Sequence, residues 1–541
     1  MYGYISIYIC ISNATMVDQY CRSGWLVISL KIDGHWDVMT DNMIFKDENE
    51  GDDLLAAAVK GICDQFVVTQ GQLIAMTNYF IDQMNSGLNE EIGSGLPMIP
   101  SFVTALPTGE EQGIVLTAEL GGTNFTVSKV TLKGRNQYSI DQMKTRIPDY
   151  LFQNYSATSR DLFTFLVKQV DEFMRSHLGD VFTADRKHDQ SFKMGFIFSY
   201  PVKQTSLDTA ELIRWTKRLN IKDTVGKDVI QLFQDELDNQ GLNMVNVMAL
   251  TNDTICTFLS LCYSTRTTDL SAGRDNKIQG DISGPVIGCV FGTGTNGCYK
   301  ESINNIVKLP RDIKQMLLNM GNTEMLINTE WGSFDNETKI LPTSKYDISI
   351  DKKYSRNPGY NLFEKRVSGM FLGEILRNIL IDLYSRGLMF QQYASYDVLP
   401  HQLRTPFQIS CQVMASIEID DTIGLRASEM SLLQSLRILT TPTERAHIQT
   451  LTRIISRRAA YLAAVPIAAI IIKTGALEKK YNGEVDVSCE GSIIKYYPGF
   501  KTMMRQALAL TPLGTDGERR IHLKILEDSP SVGAALCALM A

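Results

Sequence analysis

The stretch IVLTAELGGTNFTVSKVTL, Ile114–Leu132, decides the architecture. Apolar and polar residues alternate on both sides of Gly121, Gly122, Thr123 and Asn124, which predicts a β-hairpin with glycines at its tip. The same grammar returns in PVIGCVFGTGTNGCY, Pro285–Tyr299, where Gly292, Thr293, Gly294, Thr295 and Asn296 form the tip. Two such hairpins mark an approximate internal duplication with a cleft between the copies. Glycine at a tight turn supplies φ > 0 at little cost. The missing Cβ also lets backbone N–H groups crowd around an anion, and threonine hydroxyls add donors. Two tips facing each other can clamp a polyphosphate from both sides.

Working outward, strands and helices mix. SFKMGFIFSYPV reads as a strand followed by a helix carrying Trp215, and MVNVMALTND as an apolar strand ending in polar residues. VGKDVIQLFQDEL reads as a helix, as do Phe363–Tyr384 and the segment around SLLQSLRI. The mixture is α/β, and 541 residues exceed what one core organises, so two lobes are expected. Amphipathic helices begin near Leu54, with Asp52 or Asp53 as the expected cap. Residues 1–50 are expected to be an extension outside the fold, with Met39 or Met43 as the older start. AAYLAAVPIAAIII, Ala459–Ile472, is too short to span a bilayer and is read as a buried core helix.

Charge narrows the function. Lys+Arg 53 against Asp+Glu 60 leaves a net charge of −7, with no basic half. That argues against nucleic acid or an anionic membrane as the main partner. The ten cysteines form no CxxC pair or Cys/His cluster, so neither zinc nor a disulfide framework is indicated, and a reducing cytoplasm fits.

The sequence resembles the hexokinases, most closely the fungal glucokinases. The resemblance runs from about Leu54 to Ala541 and rests on ELGGTNF, FSYPVKQTSL, RWTK, ALTNDT, VIGCVFGTGTNGCY, INTEWGSFDNE and NPGYNLFEKRVSGMFLGEILRNIL. It implies the two-lobed actin-like ATPase fold, with hexokinase N-terminal and C-terminal parts over 51–262 and 283–541. The small lobe would occupy about 111–253, with the C-terminal helix returning to it. It implies ATP-dependent phosphorylation of glucose or another hexose at the 6-hydroxyl, with ATP and magnesium, at the head of glycolysis. Self-association is left open.

Phosphoryl transfer to an alcohol needs a base, sugar ligands and charge on the phosphates. Asp253 closes a strand, where open α/β sheets place ligands; its alternative is a helix N-cap. The resemblance makes it the base, with Lys217 assisting. It also carries over Ser199, Thr216, Lys217, Asn252, Glu330 and Glu364 as the glucose ligands. Both glycine tips, with Gly491 and Ser492, are carried over to ATP.

The ATP side also departs from the family. Glu119 replaces an aspartate, with magnesium expected to bind with ATP, through water near that carboxylate. Thr126 replaces an arginine, at a cost of roughly 1.5–3 kcal/mol if a charge-assisted phosphate contact is lost. Glu490 replaces an aspartate, and Ser529, Pro530 and Ser531 replace Gly-Ser-Gly. Arg218 and Leu219 follow the sugar lysine in place of Gly-Phe, and Cys256 stands for a glycine. These changes support an alternative: a glucose-binding regulatory paralogue or sensor with weak or no kinase activity.

Overall fold

The computed structural model describes residues 29–32, 35–38, 50–90, 95–153, 157–178, 191–215, 219–265, 284–355, 357–479 and 483–541. The chain divides into two compact units, Met1–Leu54 and Leu55–Ala541. In the first, β1 (Ser29–Ile32) pairs antiparallel with β2 (His35–Val38). Met39 and Met43 lie outside the described residues. The first helix spans Glu50–Cys63, so Asp52 and Asp53 sit inside it and neither is its cap.

The second unit holds two sheets that share one plan. Its strands are β3 (Ile99–Pro100), β4 (Gln112–Leu120), β5 (Asn124–Gly134), β6 (Gln137–Arg146), β7 (Phe192–Phe198), β8 (Val202–Ser206), β9 (Thr209–Leu212) and β10 (Val245–Thr251). There follow β11 (Ile287–Phe291), β12 (Thr295–Ser302), β13 (Glu324–Asn328), β14 (Val485–Glu490) and β15 (Ile521–Ile525). One sheet runs β10-β7-β4-β5-β6, the other β15-β14-β11-β12-β13-β3. In each, the first three strands are parallel and the next two pair antiparallel. The glycine hairpins, β4–β5 and β11–β12, occupy equivalent places. The duplication read from two short motifs is therefore a duplication of whole sheets, and the sheets are the cores of two lobes.

The last parallel strand of each sheet leads into a helix. Asp253–Thr265 follows β10, and Ser529–Met540 follows β15. Each helix packs on the sheet of the other lobe, and the two pack on each other. Small residues permit this approach. A Cβ on Gly533 would lie 2.1 Å from the Cys256 carbonyl oxygen, and one on Gly195 2.4 Å from that of Ala534.

Elsewhere the elements follow from local chemistry, with two exceptions. The segment after β7 forms the β8–β9 hairpin, and Trp215 lies in an irregular stretch beyond it rather than in a helix. Its indole instead fills the small-lobe core. The expected helix from Phe363 breaks at Ser368 into Glu364–Val367 and Gly369–Ser385. Ala459–Ile472 belongs to a 33-residue helix, Pro442–Thr474, closed by a capping box on Thr441 and Glu444. Its apolar face is buried in the large-lobe core.

Arg458 of that helix makes two bonds to Asp347, 2.7 and 2.8 Å, with both side chains buried. Burial alone would raise the Asp347 carboxyl, but the Arg458 guanidinium overrides it and holds the pKa at about 2, below the ordinary 3.8. A pKa lowered by folding stabilises above the unfolded value and loses that contribution as pH falls. Between about pH 4 and pH 2 the protein is expected to lose about 2 kcal/mol through this group. Denaturant titrations at pH 5 and pH 2 measure it. An Asp347→Asn variant should lack that part of the acid slope, and an unchanged slope would refute the assignment.

Candidate active site

On the small-lobe side, the site begins where adjacent parallel strands end. β7 and β10 pair through Ile197 and Thr251, which sets Ser199 beside Asn252 and Asp253. Asn252 Oδ1 accepts from the backbone N–H of Thr254 at 3.0 Å and its hydroxyl at 2.8 Å, so Asn252, not Asp253, caps the following helix. Asp253 is thereby released for chemistry. Ser199 Oγ donates to its Oδ2 at 3.1 Å. The other oxygen, Oδ1, is buried with no hydrogen-bond partner. Buried acceptors are rarely left unpaired, and one at a strand end is suited to a ligand hydroxyl.

The large lobe contributes a carboxamide and carboxylate cluster. Asn296 Nδ2 donates to Asn328 Oδ1 at 2.8 Å, to Glu330 Oε1 at 3.1 Å and across the lobes to Asn252 Oδ1 at 3.4 Å. Asn328 Nδ2 also donates to Glu330 Oε1, at 2.9 Å. Glu330 sits in left-handed backbone, φ 51°, ψ 44°, a strained conformation for a non-glycine residue that is typical of functional sites. Glu364 Oε2 accepts the Thr295 N–H at 3.0 Å. Thr216, Lys217 and Arg218 lie outside the described residues.

This geometry revises the second glycine loop. Asn296 joins the cluster of Asn252, Asn328 and Glu330, and Thr295 Oγ1 accepts from the buried Trp331 indole at 2.9 Å. Asn328 was missed by sequence reasoning. Its signal was its place two residues before Glu330, in INTEW.

Gly122, Thr123 and Thr293 line a cavity of about 920 Å³, together with Glu364, Cys411 and Ser492. Tips of both hairpins thus open on one space. Neither Gly121 nor Gly292 uses the left-handed φ expected of it, and a Cβ on Gly292 would only reach ordinary contact distance, 3.4 Å, from Gly491 Cα. Gly491 does need its freedom: φ is +113°, and a Cβ would lie 2.4 Å from the Phe291 carbonyl oxygen. Asn124 accepts the Gly121 N–H through its own carbonyl at 3.1 Å, which closes the first tip.

Most departures from the family pattern are internally satisfied. Glu490 takes an ion pair from Lys495 at 2.8 Å and a hydrogen bond from Ser529 at 3.0 Å. Ser531 bonds the Ser128 hydroxyl at 3.1 Å, both buried. Pro530 stands in the first turn of its helix, where a missing N–H is harmless. Leu219 is buried in the small-lobe core. Thr126 is buried and lies opposite Glu119 in the β4–β5 ladder.

The donor set suits a magnesium ion delivered with phosphates. Such an ion needs one or two carboxylates and keeps its waters. Burial holds the Cys256 thiol neutral, and Cys537, Asp253 and Glu119 push its pKa further up.

Family models described as hexokinase match residues 58–263 and 286–540. The chain is 57% identical to Glucokinase-1 of Saccharomyces cerevisiae over 491 residues, 90% of this chain and 97% of that protein. It is 50% identical to Glucokinase-1 of Kluyveromyces lactis over 91% of this chain and 99% of that protein. The solved hexokinase of Schistosoma mansoni, complexed with glucose, superposes with a TM-score of 0.76 at 30% identity, covering 91% of this chain and all of that one.

Proposed function

The chain belongs to the hexokinase family, and on that premise we propose that it is a glucokinase, transferring the γ-phosphoryl group of ATP to the 6-hydroxyl of glucose. The observation that carries this reading is Asp253: a half-buried carboxylate with one oxygen fixed by Ser199 and the other buried and unpartnered, where both lobes supply hydroxyl-binding groups.

Asp253 accepts the proton of the 6-hydroxyl as that oxygen attacks phosphorus. Ser199 holds the carboxylate in register, since its hydroxyl can give only one proton and gives it to Oδ2. Asn252, Glu330 and Glu364, with Asn296 and Asn328 behind them, orient the sugar by pairing donors with acceptors. Thr216 and Lys217 complete the sugar set in this reading, with Lys217 adding positive charge beside the transferring group. Gly121, Gly122, Thr123, Gly294 and Thr293 present backbone and hydroxyl donors to the triphosphate, and Gly491 and Ser492 border the nucleoside. Magnesium would neutralise phosphate charge when bound with ATP, held through water near Glu119. Lobe closure around the sugar excludes water, which would otherwise compete as acceptor. A cytoplasmic location belongs to the same reading and is supported by the free thiols of the described cysteines.

The regulatory, non-catalytic alternative is not favoured. It rested on losses at the ATP side, and Glu490, Ser529 and Ser531 are bonded to one another or to their neighbours rather than left as defects. A coupled assay of glucose 6-phosphate formation at saturating ATP tests the proposal. Sustained turnover is the expected result. Tight glucose binding without turnover would revive the alternative.

A further inference from the structure

Two segments meet across the mouth of the cleft, beside the sugar set but outside it. On the small lobe, Trp215 anchors the chain just before Thr216. Its indole donates to the Ile221 carbonyl and the Thr224 hydroxyl, both at 2.7 Å, and its ring packs edge-on against Tyr200, with centroids 4.8 Å apart. On the large lobe, the loop before Glu364 is held by Lys365. Its buried ammonium bonds Asp351 at 2.6 Å and the Asn357 carbonyl at 2.8 Å, while Asp351 accepts the Gly359 N–H.

These anchored segments touch in two places. Asn357 Nδ2 donates to the Trp215 carbonyl at 3.4 Å. The Arg214 guanidinium carbon lies 4.4 Å from the centroid of the Tyr360 ring, inside the range in which a cation is attracted to a ring face. Neither Arg214 nor Tyr360 is needed by either core, and Tyr360 is 48% exposed. An exposed tyrosine that turns its face to an arginine of the other lobe is spending its contact on the lobe–lobe relation.

We propose that Arg214 and Tyr360 form a cation–π latch that holds the cleft mouth shut over the bound hexose, making both of them positioning residues for the reaction. The proposal rests on the glucokinase reading and deepens it. Arg214 lies two residues before Thr216, and Tyr360 four residues before Glu364. In the chain, the latch thus adjoins residues assigned to the sugar from both lobes. Lys365 and Asp351 give the ring a fixed platform, and Trp215 does the same for the arginine. Without those anchors a surface pair would contribute little.

The test is a double-mutant cycle on the full chain, read by glucose titration calorimetry and stopped-flow dissociation without nucleotide. Arg214→Ala and Tyr360→Ala should each weaken glucose binding by about two- to fivefold, through faster dissociation. The double variant should be no worse than the poorer single variant, because both remove one contact. Tyr360→Phe keeps the ring face and should bind glucose like the parent. Melting temperatures should not move, since neither side chain supports a core. Additive losses, an unaffected affinity in both single variants, or Tyr360→Phe as weak as Tyr360→Ala would each overturn the latch. A parent protein that fails to bind glucose would instead overturn the glucokinase reading beneath it.

Discussion

Replacing Asp253 with alanine is expected to reduce hexose 6-phosphate formation by about 10²–10⁴-fold, the range for a lost general base. Glucose affinity should stay within a few-fold. The asymmetry follows from geometry. Asp253 does not hold the helix it begins, because Asn252 makes the cap, and only Ser199 donates to its carboxylate among the hydrogen bonds described. Removing it frees one serine hydroxyl and leaves the hydrogen bonds of Asn252, Asn296, Asn328 and Glu330 intact. Asp253→Asn is the sharper version: the shape survives and the basicity does not. Coupled-assay turnover with parallel calorimetry decides the matter. Near-parental turnover in either variant would exclude Asp253 as the base.

The second large effect concerns Glu330. Glu330→Ala should weaken glucose binding by roughly 10²–10³-fold, since a charge-assisted contact is lost and the carboxamides that donate to it are left unpaired. Asn296→Ala should act in the same direction by about ten- to hundredfold. Both should change the KM for ATP far less than the affinity for glucose. The comparison separates two placements of Asn296. If it served phosphate, as its position in a glycine loop suggests, ATP would suffer first. In the structure it bridges Asn328, Glu330 and Asn252, so the sugar should. A selective rise in the KM for ATP would return it to the phosphate loop.

Much of this site was legible in the chain alone. Alternation around Gly121–Gly122 and Gly292–Gly294 specified two hairpins because strand periodicity and turn glycines are local properties. ALTNDT placed an acid at a strand end for the same reason. Membership of a duplicated two-lobed fold followed from the repeat of one motif and the order of the others. The length of Pro442–Thr474 was not legible from its apolar second half, since its first half is more polar and depends on a cap at Thr441.

Other features needed the tertiary structure. Residues of a strand point alternately to opposite faces, so neighbours in the chain have different partners: Thr295 meets Trp331 within the core, while Asn296 meets Asn328 and Glu330 in the cleft. Local sequence carries that alternation but not what waits on each side. Trp215 looked helical until the small-lobe core claimed its indole. Ser529 and Glu490 read as losses because their partnership spans 39 positions, and no local pattern reports a contact at that separation. The exchange of helices between sheets is the same kind of fact. Composition makes Asp253–Thr265 and Ser529–Met540 apolar, but only the close approach at Gly533 and Cys256 fixes which sheet each one covers. Sequence determined the parts and their chemistry, because those depend on neighbours along the chain. Tertiary packing decided which lone pairs were left free for a substrate, because that depends on every other group that could have taken them.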